Sequence, residues 1–181
     1  MQTPVHDPAP ADQAAEFPES VPADGEGLRG LLRQMASPVV VVTCRGESGP
    51  RGATIGSFAS ASLSPPLVTF NVTHGTRFHE AIETAESFAV HLLASDQSEV
   101  ATRFAIPDLD AQLDTVDHAF TARGLPLLDG TLGVLLCRPQ ARVEAGDHTL
   151  VVGRVEEILP GREGEPLLYF QQSYRGVGRE V

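Results

Sequence analysis

The most informative part of the chain reads Gly52-Ala-Thr-Ile-Gly-Ser-Phe-Ala-Ser-Ala-Ser-Leu-Ser-Pro-Pro-Leu67. Most of its side chains are small, and hydroxyl groups recur at Thr54, Ser57, Ser60, Ser62 and Ser64. Small side chains let a flat ligand approach the backbone, so that main-chain N–H and C=O groups can meet the ligand's edge. The segment therefore predicts a strand that lines a ligand site, although a Ser/Thr-rich edge strand would have the same composition.

The spacing of the hydroxyl groups in this segment is irregular. Thr54, Ser57 and Ser60 are three residues apart, whereas a regular strand has a period of two. The spacing predicts a bulge or a turn inside the segment. Before it, the β-branched run Val39-Val-Val-Val-Thr-Cys44 is followed by the turn-rich residues 45–52, a pattern typical of a first hairpin.

Hydrophobic periodicity and capping residues predict the other elements. After Asp24 as N-cap, apolar residues at helical spacing predict a short amphipathic helix that Pro38 ends, with Leu28, Leu31, Leu32 and Met35 on one face. A second helix is predicted over residues 76–86. Asp96 and Glu99 resemble a capping box that opens a third, short helix. Further strands are predicted at residues 67–72, 88–93, 137–144 and 149–155, and residues 105–130 are predicted to be loop because they lack a sustained period.

The C-terminal half shows the clearest strand pattern. Residues 137–144 alternate strictly between apolar and polar side chains, and Pro139 places this strand at an edge or a bulge. A tight turn at residues 145–148 joins it to the next strand. Because strands follow one another through tight turns and helices are few, the sequence predicts a mainly β protein, an antiparallel barrel with a few peripheral helices.

Composition limits the possible function classes. The 181 residues suffice for one domain, predicted at residues 27–181, while the Pro-rich residues 1–26 contain acidic residues but neither Lys nor Arg and predict a disordered tail. The net charge of −11 argues against a nucleic-acid partner, and the absence of lysine excludes P-loop and Schiff-base chemistry. No run is apolar enough for a membrane span and no signal peptide is recognisable, so a cytoplasmic protein without membrane contact is predicted. Cys44 and Cys137 are predicted to be buried thiols.

Several familiar motifs find no support. Gly25-Glu-Gly-Leu-Arg-Gly30 has the letters of a dinucleotide fingerprint, but a Pro-rich acidic tail stands where the required strand should be. His74 and His79 have the wrong spacing for two metal ligands on one helical face, so no metal is expected. The chain also lacks a G-x-S-x-G nucleophile elbow, which leaves hydrolase chemistry without specific support.

Two other sites carry residues suited to ligand binding. Gly146-Asp147-His148 lies between two predicted strands and places an imidazole at a hairpin tip, where barrel loops meet ligands, unless the histidine is simply exposed there. Thr76 and Arg77 stand at a predicted helix start, where a hydroxyl, a guanidinium and unpaired N–H groups suit a phosphate. Thr76 can equally be only the N-cap of that helix.

In this order, the segments resemble the short-chain flavin reductase family, whose fold is the FMN-binding split barrel, a Greek-key antiparallel barrel. The matching residues run from about Leu28 to Gly176 and include the 52–68 segment, Phe88-Ala-Val-His-Leu-Leu93, Asp96-Gln97, Arg103-Phe104-Ala105, Gly146-Asp-His-Thr-Leu150 and Pro166-Leu-Leu-Tyr-Phe170. The resemblance implies a homodimeric enzyme that oxidises NADH or NADPH and reduces FMN or FAD. In such systems the reduced flavin often passes to a separate monooxygenase.

The resemblance also implies roles for individual residues. Those implied at the flavin are Thr54, Ile55, Gly56, Ser57 and Ser60 along the ring and ribityl chain, Thr76 and Arg77 at the phosphate, and Gln97 and Phe104 nearby. His148, the one catalytic residue implied, and Tyr174 would face the nicotinamide. Gly56, His91 and Phe78 depart from the family pattern of Asn, Asn and Thr, which removes side-chain donors and suits a flavin handled as a substrate.

Two other functions fit the same residues. A split barrel can also bind or deliver flavin without reductase activity of its own. The acidic tail can serve as a docking segment for a partner oxygenase, or it can be a solvated appendage.

Overall fold

The computed structural model describes residues 19–47, 49–107, 109 and 112–178. Most of the predicted acidic tail lies outside these residues, so its disorder and the domain boundary at residue 27 stay predictions. The first helix begins at Gly25, directly after its predicted N-cap Asp24.

Strands account for far more of the described residues than helices do, and three helices lie at the periphery. In chain order the elements are α1 Gly25–Leu32, β1 Ser37–Pro38, β2 Val40–Gly46, β3 Gly49–Ile55, β4 Ala59–Leu63, β5 Pro66–Thr73, α2 Arg77–Thr84, β6 Phe88–Leu92, α3 Ser98–Phe104, β7 His118–Phe120, β8 Pro126–Leu128, β9 Gly133–Ala145, β10 His148–Pro160, β11 Leu168–Phe170 and β12 Ser173–Arg175. Of these helices, none combines the length and the apolar character that crossing a membrane requires.

A seven-stranded antiparallel sheet in the order β3-β2-β6-β9-β10-β5-β4 forms the body of the fold. The predicted hairpin between β2 and β3 is confirmed. The Ser/Thr-rich segment is not one strand, because it divides into β3 and β4, which lie at opposite ends of this sheet. The predicted irregularity is confirmed twice, by the non-strand residues 56–58 and by a register shift between Ser60 and Ser62.

The two ends of the sheet approach each other. Ser57, just after β3, accepts a hydrogen bond at Oγ from the backbone N–H of Asn71 on β5, at 2.9 Å. β3 and β5 are not strand partners, yet residues of both line one cavity. The sheet therefore curls into the antiparallel split barrel that the sequence predicts, and the split lies between these two strands.

The barrel core is built from inward-facing apolar residues and closed by α2, whose Phe78, Ala81 and Ile82 are buried. Both cysteines are buried free thiols, as predicted. Burial raises the pKa of Cys44 and of Cys137 to about 12 in each case. Neither thiol is a nucleophile at neutral pH, because the reactive form is the thiolate.

Three local predictions are refined or wrong, and a fourth is confirmed. Helix α1 has Asp24 as its N-cap, as predicted, but it ends at Leu32 and buries none of its residues. The capping box is wrong, because Asp96 pairs with Arg162 and the N-cap of α3 is Gln97. Residues 105–130 are not only loop, since they contain β7 and β8. The bulge expected at Pro139 is confirmed by a register shift between β9 and β10 at this residue.

Candidate active site

A cavity of about 390 Å³ lies in the split of the barrel. Its walls are β3 with the residues that follow it, the end of β5, the first residues of α2, and the segment that leaves α3. His148 at the tip of the β9–β10 hairpin lies at its rim. A cavity of this size falls within the range of small-molecule and cofactor sites.

The cavity brings together most of the residues that the sequence singles out. The predicted site residues that line it are Thr54, Ile55, Gly56, Ser57, Thr76, Arg77, Phe104 and His148. These residues come from four separate elements. Only the packing of α2 and α3 beside β3 places them around one space.

Three predicted site residues lie elsewhere in this chain. Ser60 is exposed on β4, at the end of the sheet. Gln97 is used structurally, because its Oε1 accepts from the backbone N–H of Ala94 at 3.1 Å and its Nε2 donates to the backbone O of Asp129 at 2.9 Å. Tyr174 packs on the apolar cluster beneath α3, and burial raises the pKa of its hydroxyl.

The hydroxyl groups in the cavity are less available than their number suggests. Thr54 Oγ1 donates to the backbone O of Ala101 at 2.6 Å, which uses its proton to hold α3 against β3. Ser57 Oγ is an acceptor for Asn71, and one hydroxyl can accept and donate at the same time. The Ser57 hydroxyl therefore keeps a proton for a ligand, whereas the Thr54 hydroxyl does not.

Thr76 is the N-cap of α2, the simpler of its two predicted roles. Its Oγ1 accepts from the backbone N–H of His79 at 3.1 Å and donates to the backbone O of Thr73 at 3.2 Å. Its proton is thus used within the protein. The guanidinium of Arg77 and the start of α2 also line this end of the cavity, and an arginine and a helix N-terminus both favour an anion.

His148 is held on both ring nitrogens. Its Nδ1 lies 2.7 Å from Asp147 Oδ1, and its Nε2 lies 3.1 Å from Thr73 Oγ1. An ionised carboxylate can only accept, so Nδ1 of His148 donates to Asp147, and this hydrogen bond lowers the pKa of the Asp147 carboxyl. The imidazole is consequently fixed in direction while remaining about one-third exposed at the cavity rim, at 37%.

The outer edge of β3 supplies backbone groups to the cavity. The N–H of Gly52 points away from β2, because it donates to the Oε1 of Gln112 at 3.2 Å. Directions alternate along a strand, so Thr54 also presents its N–H and C=O outward. A trans peptide directs its C=O and N–H oppositely, and the N–H of Gly56 therefore faces outward too.

Sequence reasoning missed four polar residues of the cavity: Asn71 and Thr73 on β5, and Arg51 and Gln112. Arg51 lines it with a buried Nε that has no hydrogen-bond partner within the described residues. Gln112 is only 8% exposed and belongs to the stretch predicted as loop. No hydrophobic periodicity marks Arg51 or Gln112. Arg51 could have been found as the neighbour of Gly52 in the predicted ligand-lining strand, whereas no sequence signal points to Gln112.

A model of the flavin reductase like domain matches residues 32–178 of the chain. The chain belongs to this family. An FMN reductase (NADH) of Agrobacterium fabrum is 36% identical over 157 residues, which cover 87% of this chain and 88% of that protein. The reductase component of 4-hydroxyphenylacetate 3-monooxygenase from Thermus thermophilus is 38% identical over 154 residues, which cover 83% of this chain and 95% of that protein.

Solved structures of flavin reductase like proteins share the fold. An NADH:FAD oxidoreductase of Streptomyces globisporus, solved in complex with NAD and FAD fragments, superposes with a TM-score of 0.80 at 34% identity. The superposition covers 87% of this chain and 95% of that one. The resemblance and the fold class predicted from the sequence are thereby confirmed.

Proposed function

We propose that the protein is an NAD(P)H-dependent flavin reductase that transfers a hydride from a nicotinamide to FMN or FAD and supplies the reduced flavin to a separate monooxygenase. The observation that carries this proposal is the cavity in the barrel split. It joins an exposed strand edge to a hairpin-tip histidine, within a chain 36% identical to an NADH-dependent FMN reductase. A flavin held in this cavity would supply the hydride acceptor, N5, and the hydride would come from C4 of NAD(P)H, which would become NAD(P)+ as the flavin is reduced.

The chain's own groups fit a flavin. The pyrimidine edge of the isoalloxazine ring offers an acceptor, a donor and an acceptor, namely two carbonyls on either side of N3–H. The outward groups of β3 offer the complementary order: Thr54 N–H, Thr54 C=O and Gly56 N–H. Apolar side chains on the cavity walls, among them Ile55, Phe78 and Phe104, suit the faces of a flat ring and exclude water.

The polar residues of the cavity have distinct proposed tasks. Arg77 and the α2 start bind the flavin phosphate, because an arginine and a helix N-terminus both favour an anion. The Ser57 hydroxyl donates to the ring or ribityl chain. Thr54 and Thr76 act through the backbone they hold in place, since their hydroxyl protons are used by Ala101 and Thr73.

Steady-state assays that cross NADH and NADPH with FMN and FAD test the proposed function. A reductase oxidises the nicotinamide continuously when flavin is added. A protein that only binds or delivers flavin gives flavin binding without sustained oxidation, and this result would replace the proposal by that alternative.

His148 is proposed to position the nicotinamide and not to act as an obligatory base. His148→Ala should raise the KM for the nicotinamide about tenfold, which corresponds to ~1.4 kcal/mol, with a much smaller change in the Kd of flavin. Thr73→Val is the matched variant, because it removes the partner of Nε2 but keeps the imidazole. Loss of flavin binding in His148→Ala would contradict the assignment.

A homodimer and a cytoplasmic location are further parts of the proposal. Support for a dimer comes from α1, where Leu28, Leu31 and Leu32 are 57%, 71% and 49% exposed in one chain. Such an amphipathic face is usually covered by another apolar surface. Ser60 and Tyr174 lie outside the cavity of one chain, so the cofactor contacts proposed for them stay predictions.

A further inference from the structure

One buried glutamine determines which backbone groups of β3 are open to a ligand. Gln112 follows α3 and reaches back to β3, where its Oε1 accepts the outward N–H of Gly52. Its own backbone O accepts from Arg103 Nε at 2.6 Å, so the residue is held at both ends. With 8% of its surface exposed, the side chain is confined to this place.

Without Gln112, the edge of β3 would offer two alternative sets of backbone groups to the pyrimidine edge of a flavin. Gly52 N–H, Gly52 C=O and Thr54 N–H form a donor–acceptor–donor series, and Thr54 N–H, Thr54 C=O and Gly56 N–H form a second one. Both are complementary to the pyrimidine edge of a flavin. The two series are offset by two residues, or about 7 Å along the strand.

A third series nearer the start of β3 does not exist. Pro50 is the preceding outward residue, and proline has no backbone N–H. The choice is therefore between the two series that begin at Gly52 and at Thr54. Two groups, Gly52 N–H and Gly52 C=O, belong only to the first series, and Gln112 occupies the donor of the two, Gly52 N–H.

We propose that Gln112 is a positioning residue that fixes the register of the flavin ring on β3. By occupying Gly52 N–H it closes the register that begins at Gly52, and the register that begins at Thr54 stays open. This inference rests on the proposed flavin reductase function. The open register lies next to Ser57, which is hydrogen-bonded to Asn71 on β5. Two residues further along β5, Thr73 contacts His148, so the open register is the one at the histidine's side of the cavity.

Backbone amide exchange distinguishes the two registers directly, because each contains one glycine of its own. Protein labelled with [15N]glycine is followed by NMR with and without oxidised FMN. In the wild type, FMN should slow exchange of the Gly56 amide at least tenfold, whereas the Gly52 amide is protected already without FMN. The Gly56 signal is identified through 13C-labelled isoleucine, because Ile55-Gly56 is the one Ile-Gly pair of the sequence.

Gln112→Ala should expose the Gly52 amide in the absence of FMN and divide the protection by FMN between Gly52 and Gly56. The Kd of FMN should change no more than about threefold, since a complementary register remains open. Reduction of the bound flavin by NADH in a rapid-mixing experiment should change from one phase to two. Gln112→Glu keeps the acceptor for Gly52 N–H and should restore the single register.

Each other outcome has a defined meaning. Protection confined to Gly56 in Gln112→Ala would overturn the proposal, and so would a failure of Gln112→Ala and Gln112→Glu alike to fold, because the residue would then be structural. If wild-type protein neither binds FMN nor oxidises NADH with it, the proposed function itself fails. The wild-type control thus separates the two failures.

Discussion

Gly52→Ala should lower the free energy of unfolding by about 2 kcal/mol and weaken flavin binding at least tenfold. A Cβ at this position would lie 2.7 Å from Cε1 and 2.8 Å from Cδ1 of Phe104. The Phe104 ring is 2% exposed and forms part of the cavity wall, so it cannot swing into solvent. The extra methyl group must push either the ring into the cavity or β3 away from α3.

Gly56→Ala is the matched control for stability. It adds a Cβ four residues away, just after the end of β3, where the nearest atom is Ser37 Cβ at 3.8 Å, an ordinary van der Waals distance. Thermal unfolding should show a Tm lower by several degrees for Gly52→Ala and nearly unchanged for Gly56→Ala. Equal stability of the two variants would contradict this prediction, because it would show that the Phe104 ring can move away from the added methyl group at little cost in free energy.

The sequence was sufficient for the parts of the fold that repeat along the chain. Strict alternation in residues 137–144 predicted β9, and the Gly146-Asp-His148 turn predicted the hairpin that carries the rim histidine. Both signals are local, because a strand's period and a tight turn are properties of consecutive residues. The order of such segments was enough to suggest the family.

The sequence was not sufficient for the hydrogen bonds of the site. The sequence predicts that the Thr54 hydroxyl faces a ligand and leaves open whether Thr76 does so or only caps α2; in the structure their protons go to Ala101 and Thr73. Gln112 lies 60 residues from its partner Gly52. Such contacts depend on how distant elements pack, and no periodicity within one segment encodes them.

The short strands β7 and β8 show the same limit. Each has three residues, too few for a period of two to be recognised. The two strands pair with each other, and β8 also packs beside β2 and β6. For this reason the sequence predicts only loop for residues 105–130. The part that this segment plays in the site also depends on tertiary structure, because the segment supplies Gln112 and part of the cavity wall.

The stability of the barrel should depend on pH through His91. This residue is completely buried on β6, and its Nδ1 lies 3.0 Å from the backbone O of Val41. Burial lowers the pKa of His91 from 6.5 to about 4, although the hydrogen bond to Val41 opposes this change. The folded protein therefore keeps the imidazole neutral at pH values where the unfolded chain already binds a proton.

The sign of the effect follows from this difference in proton binding. Above pH 6.5, His91 is neutral in both the folded and the unfolded protein, so it causes no loss of stability. As the pH falls from 6.5 to 4, the unfolded chain binds a proton at His91 before the folded protein does, and the free energy of unfolding decreases. The loss attributable to this one residue should reach about 3 kcal/mol at pH 4. His91→Asn cannot titrate, so its free energy of unfolding, measured with urea between pH 7 and pH 4, should fall by about 3 kcal/mol less than that of the wild type. Parallel curves for the two proteins would mean that water or a structural adjustment accommodates a charged His91 inside the barrel.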